Sequence, residues 1–278
     1  MKTVISLIAL LAQLAAGSAI AQGFDHEYKA WDALVKKHVV LIDGGKASRV
    51  RYDGFAEDRA ALTSYLDSLS RVTKQQFTGW SKAQRMAFLI NAYNAFTIEK
   101  ILMRYPDIDS IWDFGKLFSN PFKDRFFRLL GTELSLDDIE HGMLRRPGAY
   151  DEPRVHFAAN CASIGCPMLR EEPYVAASLE AQLEEQTRRF LSDRTRNRFD
   201  PRGGRLEVSR IFDWFEADWT SGYRGFEGKS PPLHSRRQFL ATYADLLADN
   251  PGHRRVIRAQ KVEIAFLDYD WGLNDATR

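Results

Sequence analysis

Residues 82–104 constrain the fold more than any other stretch. Apolar side chains fall on nearly every face of this run: Met86, Phe88, Leu89, Ile90, Tyr93, Phe96, Ile98 and Ile101. Ser81 is placed to cap its start, and Pro106 stops it. A helix that is apolar all round has to be buried, so the remaining chain is expected to wrap around it. Asn91 and Asn94 share one face of this helix. A buried amide without partners costs roughly 1–3 kcal/mol. The pair is therefore expected to hold the backbone of neighbouring loops in preference to a substrate.

The flanking sequence supplies the wrapping. Residues 25–39 place Tyr28, Trp31, Leu34 and Val35 at helical spacing, and residues 56–69 return to the same period. Between them, Asp43-Gly44-Gly45 and Asp53-Gly54 are turn chemistry around a short strand at 50–52. Strand character at 126–134 breaks at Gly131-Thr132. Ser135 and Asp138 form a capping box that opens a helix through His141 and Leu144, stopped by Pro147. Residues 175–191 are amphipathic, with Glu184/Arg188 and Glu185/Arg189 at i,i+4. A hairpin turning at 201–204, a Gly/Pro loop at 221–232 long enough to act as a flap, a helix at 236–248 and a strand at 261–267 complete the chain. No repeat or linker divides it. The expectation is one α+β domain, mostly helical, with a small antiparallel sheet.

The first 21 residues stand apart. Lys2 precedes an apolar stretch at 4–16, and Ala19-Ile20-Ala21 is a small-x-small site, the pattern of a secretory signal peptide cut after Ala21. A single domain at 22–278, periplasmic or secreted, follows from that pattern. No later apolar run reaches the roughly 18 residues of a membrane span, so no stable span is expected after cleavage. The formal charge of +2 argues against a nucleic-acid partner held by bulk electrostatics. A small molecule or a peptide is the expected partner.

Both cysteines of the chain, Cys161 and Cys166, lie in residues 154–170. In an exported protein this pair could form a disulfide. Residues 155–159 read as a buried strand. Asn160, Cys161, Ala162 and Ser163 then read as a turn into a short helix closed by Gly165 and Pro167. A cysteine at a helix N-terminus has its thiolate favoured by the dipole and by free N–H groups, so Cys161 is a candidate nucleophile. His156 and Cys161 are five apart, which on a continuing strand puts them on opposite sides. They meet only if the chain turns at Asn160. His141 has no such constraint and stands level with His156 as the base. Asn160 could orient groups or donate to an oxyanion. Glu140, Asp270 and Asn274 are the candidate third members. Five-residue steps from His156 to Cys161 to Cys166 match no short metal-ligand spacing, so neither a metal nor a cofactor is expected.

Five pieces in order resemble the domain of unknown function 547 family. They are Ile90 to Asn94, Ser135 to His141 with Leu144-Arg145, Arg154 to Phe157 continuing through Asn160 to Pro167, Leu206 to Phe212, and Tyr269 to Asn274. The resemblance carries its motif residues onto Asn91, Asn94, Glu140, His141, His156, Asn160, Cys161, Cys166, Asp270 and Asn274. It implies catalytic candidates at Cys161, His141, His156, Glu140, Asn160 and Asp270, and binding candidates at Asn91, Asn94 and Asn274. The pattern is similar to a papain-type or transglutaminase-type cysteine hydrolase with rearranged chain order, since both histidines here precede the cysteine. The function so implied is a hydrolase or acyltransferase acting on amide or thioester bonds. The alternative is a non-catalytic envelope protein with a Cys161–Cys166 disulfide.

Overall fold

The computed structural model describes residues 23–115 and 119–278; the signal-peptide reading of residues 1–21 lies outside the described residues. The central helix forms as its composition requires. Among twelve α-helices of the described residues, α1 (Lys29–His38), α2 (Tyr52–Glu57), α3 (Arg59–Ser70) and α4 (Lys74–Gly79) lead to α5 (Lys82–Leu102). Ser81 and Gln84 close a reciprocal capping box at the start of α5, satisfying two of the amides that a helix start leaves open. From Met86 to Ile98 every residue of α5 is buried, so the helix has no solvent face there. Helices α2 and α3 pack on it, α1 packs on α3 with Trp31 stacked on Tyr65 at 5.4 Å, and the hairpin that follows α5 meets it where Phe96 stacks on Phe127 at 3.9 Å.

The strands are short. The strand expected at 50–52 is displaced towards the N-terminus: β1 (Val39–Ile42) pairs antiparallel with β2 (Ala47–Val50), and Tyr52 already begins α2. The hairpin of β3 (Phe127–Leu129) and β4 (Thr132–Leu134) turns at Leu130-Gly131, both with positive φ. The capping box predicted at Ser135 and Asp138 starts α6 (Leu136–Ile139), which runs into a π-helical turn at Glu140–Leu144.

A second apolar cluster gathers around α7 (Leu179–Ser192), β5 (Arg198–Asp200), β6 (Arg205–Val208), α8 (Ile211–Trp214), α9 (Glu216–Thr220), α10 (Arg236–Thr242), α11 (Ala244–Leu247), α12 (Pro251–Arg258) and β7 (Glu263–Phe266). β5 pairs antiparallel with β6, but β7 joins β6 in parallel, so this three-stranded sheet is mixed. A parallel partner needs a long crossover, and α8 to α12 supply it. The Gly/Pro loop at 221–232 is closed on itself by a bridge between Tyr223 and Leu233. No helix of the described residues is long and apolar enough to cross a membrane.

The chain is thus a single α+β domain, mostly helical, built on two cores. Residues 153–159 are the seam. Val155, Ala158 and Ala159 pack in the first core, and Phe157 in the second. The expected strand at 155–159 is not one: Pro153–Phe157 is a 3-10 helix capped by Glu152. A buried run of small and apolar residues is compatible with either, and Pro153 at its first turn favours the helix.

A thiol-bearing aromatic cavity

The seam ends in a loop that carries Cys161, and the asparagines fix that loop. Asn94 on α5 donates from Nδ2 to Ala158 O (3.0 Å) and accepts the Asn160 N–H on Oδ1 (2.8 Å). Asn160 donates from Nδ2 to Pro167 O (2.7 Å) and accepts the Ala162 N–H (3.1 Å), closing the loop across its base. Asn274 donates to Asn160 Oδ1 (3.5 Å) and accepts from the Tyr52 hydroxyl (2.7 Å). One turn back on α5, Asn91 pairs with both backbone groups of Tyr174. All four amides are buried; Asn91, Asn94 and Asn160 hold loop backbone, as expected for Asn91 and Asn94, and Asn274 braces the Asn160 side chain.

The C-terminal strap fixes the other side. Ile164 N–H bonds to Gly272 O and Gly165 N–H to Asp270 O, each at 2.8 Å. A Cβ on Gly165 would lie 2.9 Å from Asp270 N and 3.0 Å from its O, so only glycine admits this approach. Asp270 itself is exposed and its carboxylate caps the Gly272 N–H (2.8 Å). Its side chain locks the strap and does not line the cavity.

These restraints hold Cys161 in a loop, not at a helix N-terminus, and the chain bends at Ala162 beside it, which has φ of +64°. A buried non-glycine residue in that region is strained, a condition that surrounding structure must over-determine. The helix dipole therefore does not act on this thiol. Hydrogen bonds do so instead: Cys161 Sγ lies 3.2 Å from both Ser163 Oγ and Tyr269 OH. Burial alone would raise the thiol; hydrogen bonds with Cys166, Ser163 and Tyr269 and from the Ser163 amide outweigh it and hold Cys161 below its ordinary value. Burial and its Cys161 neighbour push Cys166 far up, so this second thiol stays protonated. The cysteines are unbridged, with the Cys161 N–H pointing at Cys166 Sγ (2.8 Å).

Cys161 opens into a cavity of about 200 Å³ shared with His156, His141, Glu140, Tyr93 and Tyr269. The chain does turn before Cys161, so the odd spacing from His156 is overcome. His156 is buried and stacks on Phe215 at 4.1 Å. Its Nε2 lies 2.7 Å from Asp218 Oδ2, and a carboxylate only accepts, so Nε2 carries the proton and Nδ1, which makes no hydrogen bond among the described residues, carries the lone pair. Burial lowers the His156 pKa, keeping the ring neutral. Burial would raise Asp218, but His156 and the Arg145 Nε (2.6 Å) more than offset it and hold the carboxyl low.

His141 is differently placed. It is partly exposed, with Nδ1 receiving Arg145 Nη1 at 2.5 Å and Nε2 3.6 Å from Asp137. Its unprotonated nitrogen is occupied. Among the described residues no hydrogen bond joins either imidazole to Cys161. Glu140 lies against Tyr93, whose phenol is driven up by burial and by that carboxylate. Among the described residues no group of three or more His, Cys, Asp or Glu side chains is placed to hold a metal.

Sequence reasoning passed over Ser163, Arg145, Asp218 and the aromatic residues around the opening. Tyr269 and Trp271 sit in a motif and were accessible to it. Asp218, in a helix of five residues far along the chain, carries no local signal.

Fold and cavity together define an α+β protein whose half-buried thiol, oriented imidazole and carboxylates share one aromatic pocket. Residues 77–191 match the model of the family described as protein of unknown function, DUF547, and over that stretch the chain is similar to that family. The matched stretch holds α5 and the Cys161 loop but not Asp218 or the C-terminal strap. No curated protein and no solved structure matches the chain.

Proposed function

We propose that the protein is a cysteine-dependent hydrolase or acyltransferase acting on amide or thioester bonds, with Cys161 as nucleophile. The observation that carries this reading is the shared cavity. It holds a thiol whose hydrogen bonds favour its thiolate and an imidazole whose far nitrogen is anchored on Asp218. This is the nucleophile, base and orienting group that acyl transfer uses. His156 is preferred to His141 as the base because its Nδ1 makes no hydrogen bond among the described residues.

In this reading the Cys161 proton passes to His156 Nδ1 and the sulfur attacks the carbonyl carbon. An S–C bond forms, the C–N or C–S bond breaks, and the amine or thiol leaves with the imidazolium's proton. Water or an acyl acceptor then cleaves the thioester. The Cys161, Ala162 and Ser163 amides already serve Cys166, Asn160 and Cys161. An oxyanion donor is therefore better sought in the Tyr269 or Tyr93 hydroxyl. Asn160, with both amide functions engaged, positions the loop. Export through residues 1–21 and a small-molecule or peptide substrate complete the proposal.

The test is to incubate the protein with p-nitrophenyl acetate and seek an acetyl adduct on the Cys161 peptide by mass spectrometry. An adduct absent from Cys161→Ser supports the reading; acetylation elsewhere alone refutes it. The proximity of Cys161 N–H to Cys166 Sγ supports a second reading, a non-catalytic binding protein whose loop is closed by a Cys161–Cys166 disulfide. Thiol titration of the native exported protein separates the two: no free thiol removes the nucleophile, two remove the disulfide.

A further inference from the structure

The wall of the cavity is aromatic out to solvent. Trp112 and Trp214 are 39% and 45% exposed, two of the few large apolar side chains on the surface. Both line the cavity, and Trp271 joins them, 5.3 Å from Trp112 and stacked on Trp214 at 5.7 Å. Tyr269, which bonds Cys161, packs 4.9 Å from Trp214, so the wall runs unbroken from the opening to the thiol. Exposed indole faces need a reason, because packing alone would bury them.

The charge of the opening says which ligand suits those faces. Asp137 and Glu140 line the cavity, and no lysine or arginine does among the described residues. Among the described residues the only basic side chain within 4 Å of either carboxylate is the His141 ring, 3.6 Å from Asp137 and 3.9 Å from Glu140, and Arg145, which bonds His141, is paired with Asp218. Two carboxylates beside electron-rich ring faces attract a compact cation, and repel a carboxylate or phosphate. A volume of about 200 Å³ suits an alkyl chain with a terminal charge.

We propose that this cavity recognises a primary alkylammonium group, the chemistry of a lysine side chain, through the Trp214 face and the Glu140 and Asp137 carboxylates. The proposal names the substrate class of the thiol site, and rests on that reading for its catalytic meaning but not for binding. The experiment is calorimetric titration of Cys161→Ala protein with N-acetyl-lysine methylamide, with N-acetyl-norleucine methylamide as the uncharged control. Saturable binding of the lysine compound is expected, at least about tenfold tighter than the control. Trp214→Ala, truncating a half-exposed side chain, and Glu140→Gln should each weaken it by about threefold to thirtyfold, the range of a partly desolvated cation–π contact. Circular dichroism checks the fold of each variant. Equal affinity for the norleucine compound, absence of lysine binding, or binding indifferent to both substitutions overturns the proposal. Because Cys161 is absent, an unreactive thiol in the native protein would remove the acyl-transfer reading and leave this result standing.

Discussion

Asn94→Ala should destabilise the protein out of proportion to the atoms removed. The side chain is 2% exposed and makes two hydrogen bonds to backbone, donating to Ala158 O and accepting from Asn160 N–H. Alanine leaves both backbone groups buried and unpaired, at about 1–3 kcal/mol each. The void adds little, since the lost atoms are polar and few. The expected loss is roughly 2–6 kcal/mol, a large part of the roughly 5–15 kcal/mol that a domain has. Urea unfolding followed by far-UV circular dichroism measures it, with an unchanged slope showing that the unfolded state is not responsible. Asn94→Asp keeps the acceptor for Asn160 N–H but sets a carboxylate against Ala158 O, so it should be no milder. A loss below about 1 kcal/mol for the alanine variant would mean that water or a shifted loop satisfies these groups. The account of how α5 fixes the Cys161 loop would then fail.

Other consequences follow from the same geometry. Asp218→Asn removes the charge that pairs with Arg145 and orients His156; breaking a buried ion pair costs about 3–5 kcal/mol, and alkylation of Cys161 at neutral pH should slow. His156 has a folded pKa below its unfolded value. The unfolded state therefore takes up the proton first as pH falls through about 6.5, and stability is lost below that pH and unaffected above it. The urea midpoint should drop between pH 7.5 and 5.5 less in His156→Gln than in the native protein; equal drops would refute a buried neutral imidazole. Tyr269→Phe removes one hydrogen bond from Cys161 Sγ, so the midpoint of its alkylation–pH curve should move upward, with little change in melting temperature.

The outline of the fold could be read where one local rule acted alone. The helix start at Ser81, the capping box at Ser135, the all-apolar α5 and the hairpin turns at 131 and 201–204 each appear where the sequence puts them. The reading failed where two rules gave the same pattern. Residues 155–159 are apolar and small enough for a buried strand, and tertiary packing made them a 3-10 helix between two cores. That exchange removed the helix N-terminus expected at Cys161 and replaced its dipole with Ser163 and Tyr269. Much of the site was visible as residue types: Cys161, His156, His141 and Glu140 do line one cavity. Asp218 was not, because pairing across 62 residues leaves no periodic trace. Asp270 and Asn274 are brought close to the Cys161 loop, but as backbone locks.

The central claim is that Cys161 is an activated thiolate in a cavity, and its alkylation across pH tests that most directly. Native protein is treated with iodoacetamide from pH 5 to 10, and each cysteine is quantified by peptide mass spectrometry. The account predicts rapid labelling of Cys161 with a midpoint below the roughly 8.5 of a free thiol, while Cys166 stays unlabelled until the protein unfolds. Labelling of Cys161 only above that value, or equal labelling of both thiols, would contradict it.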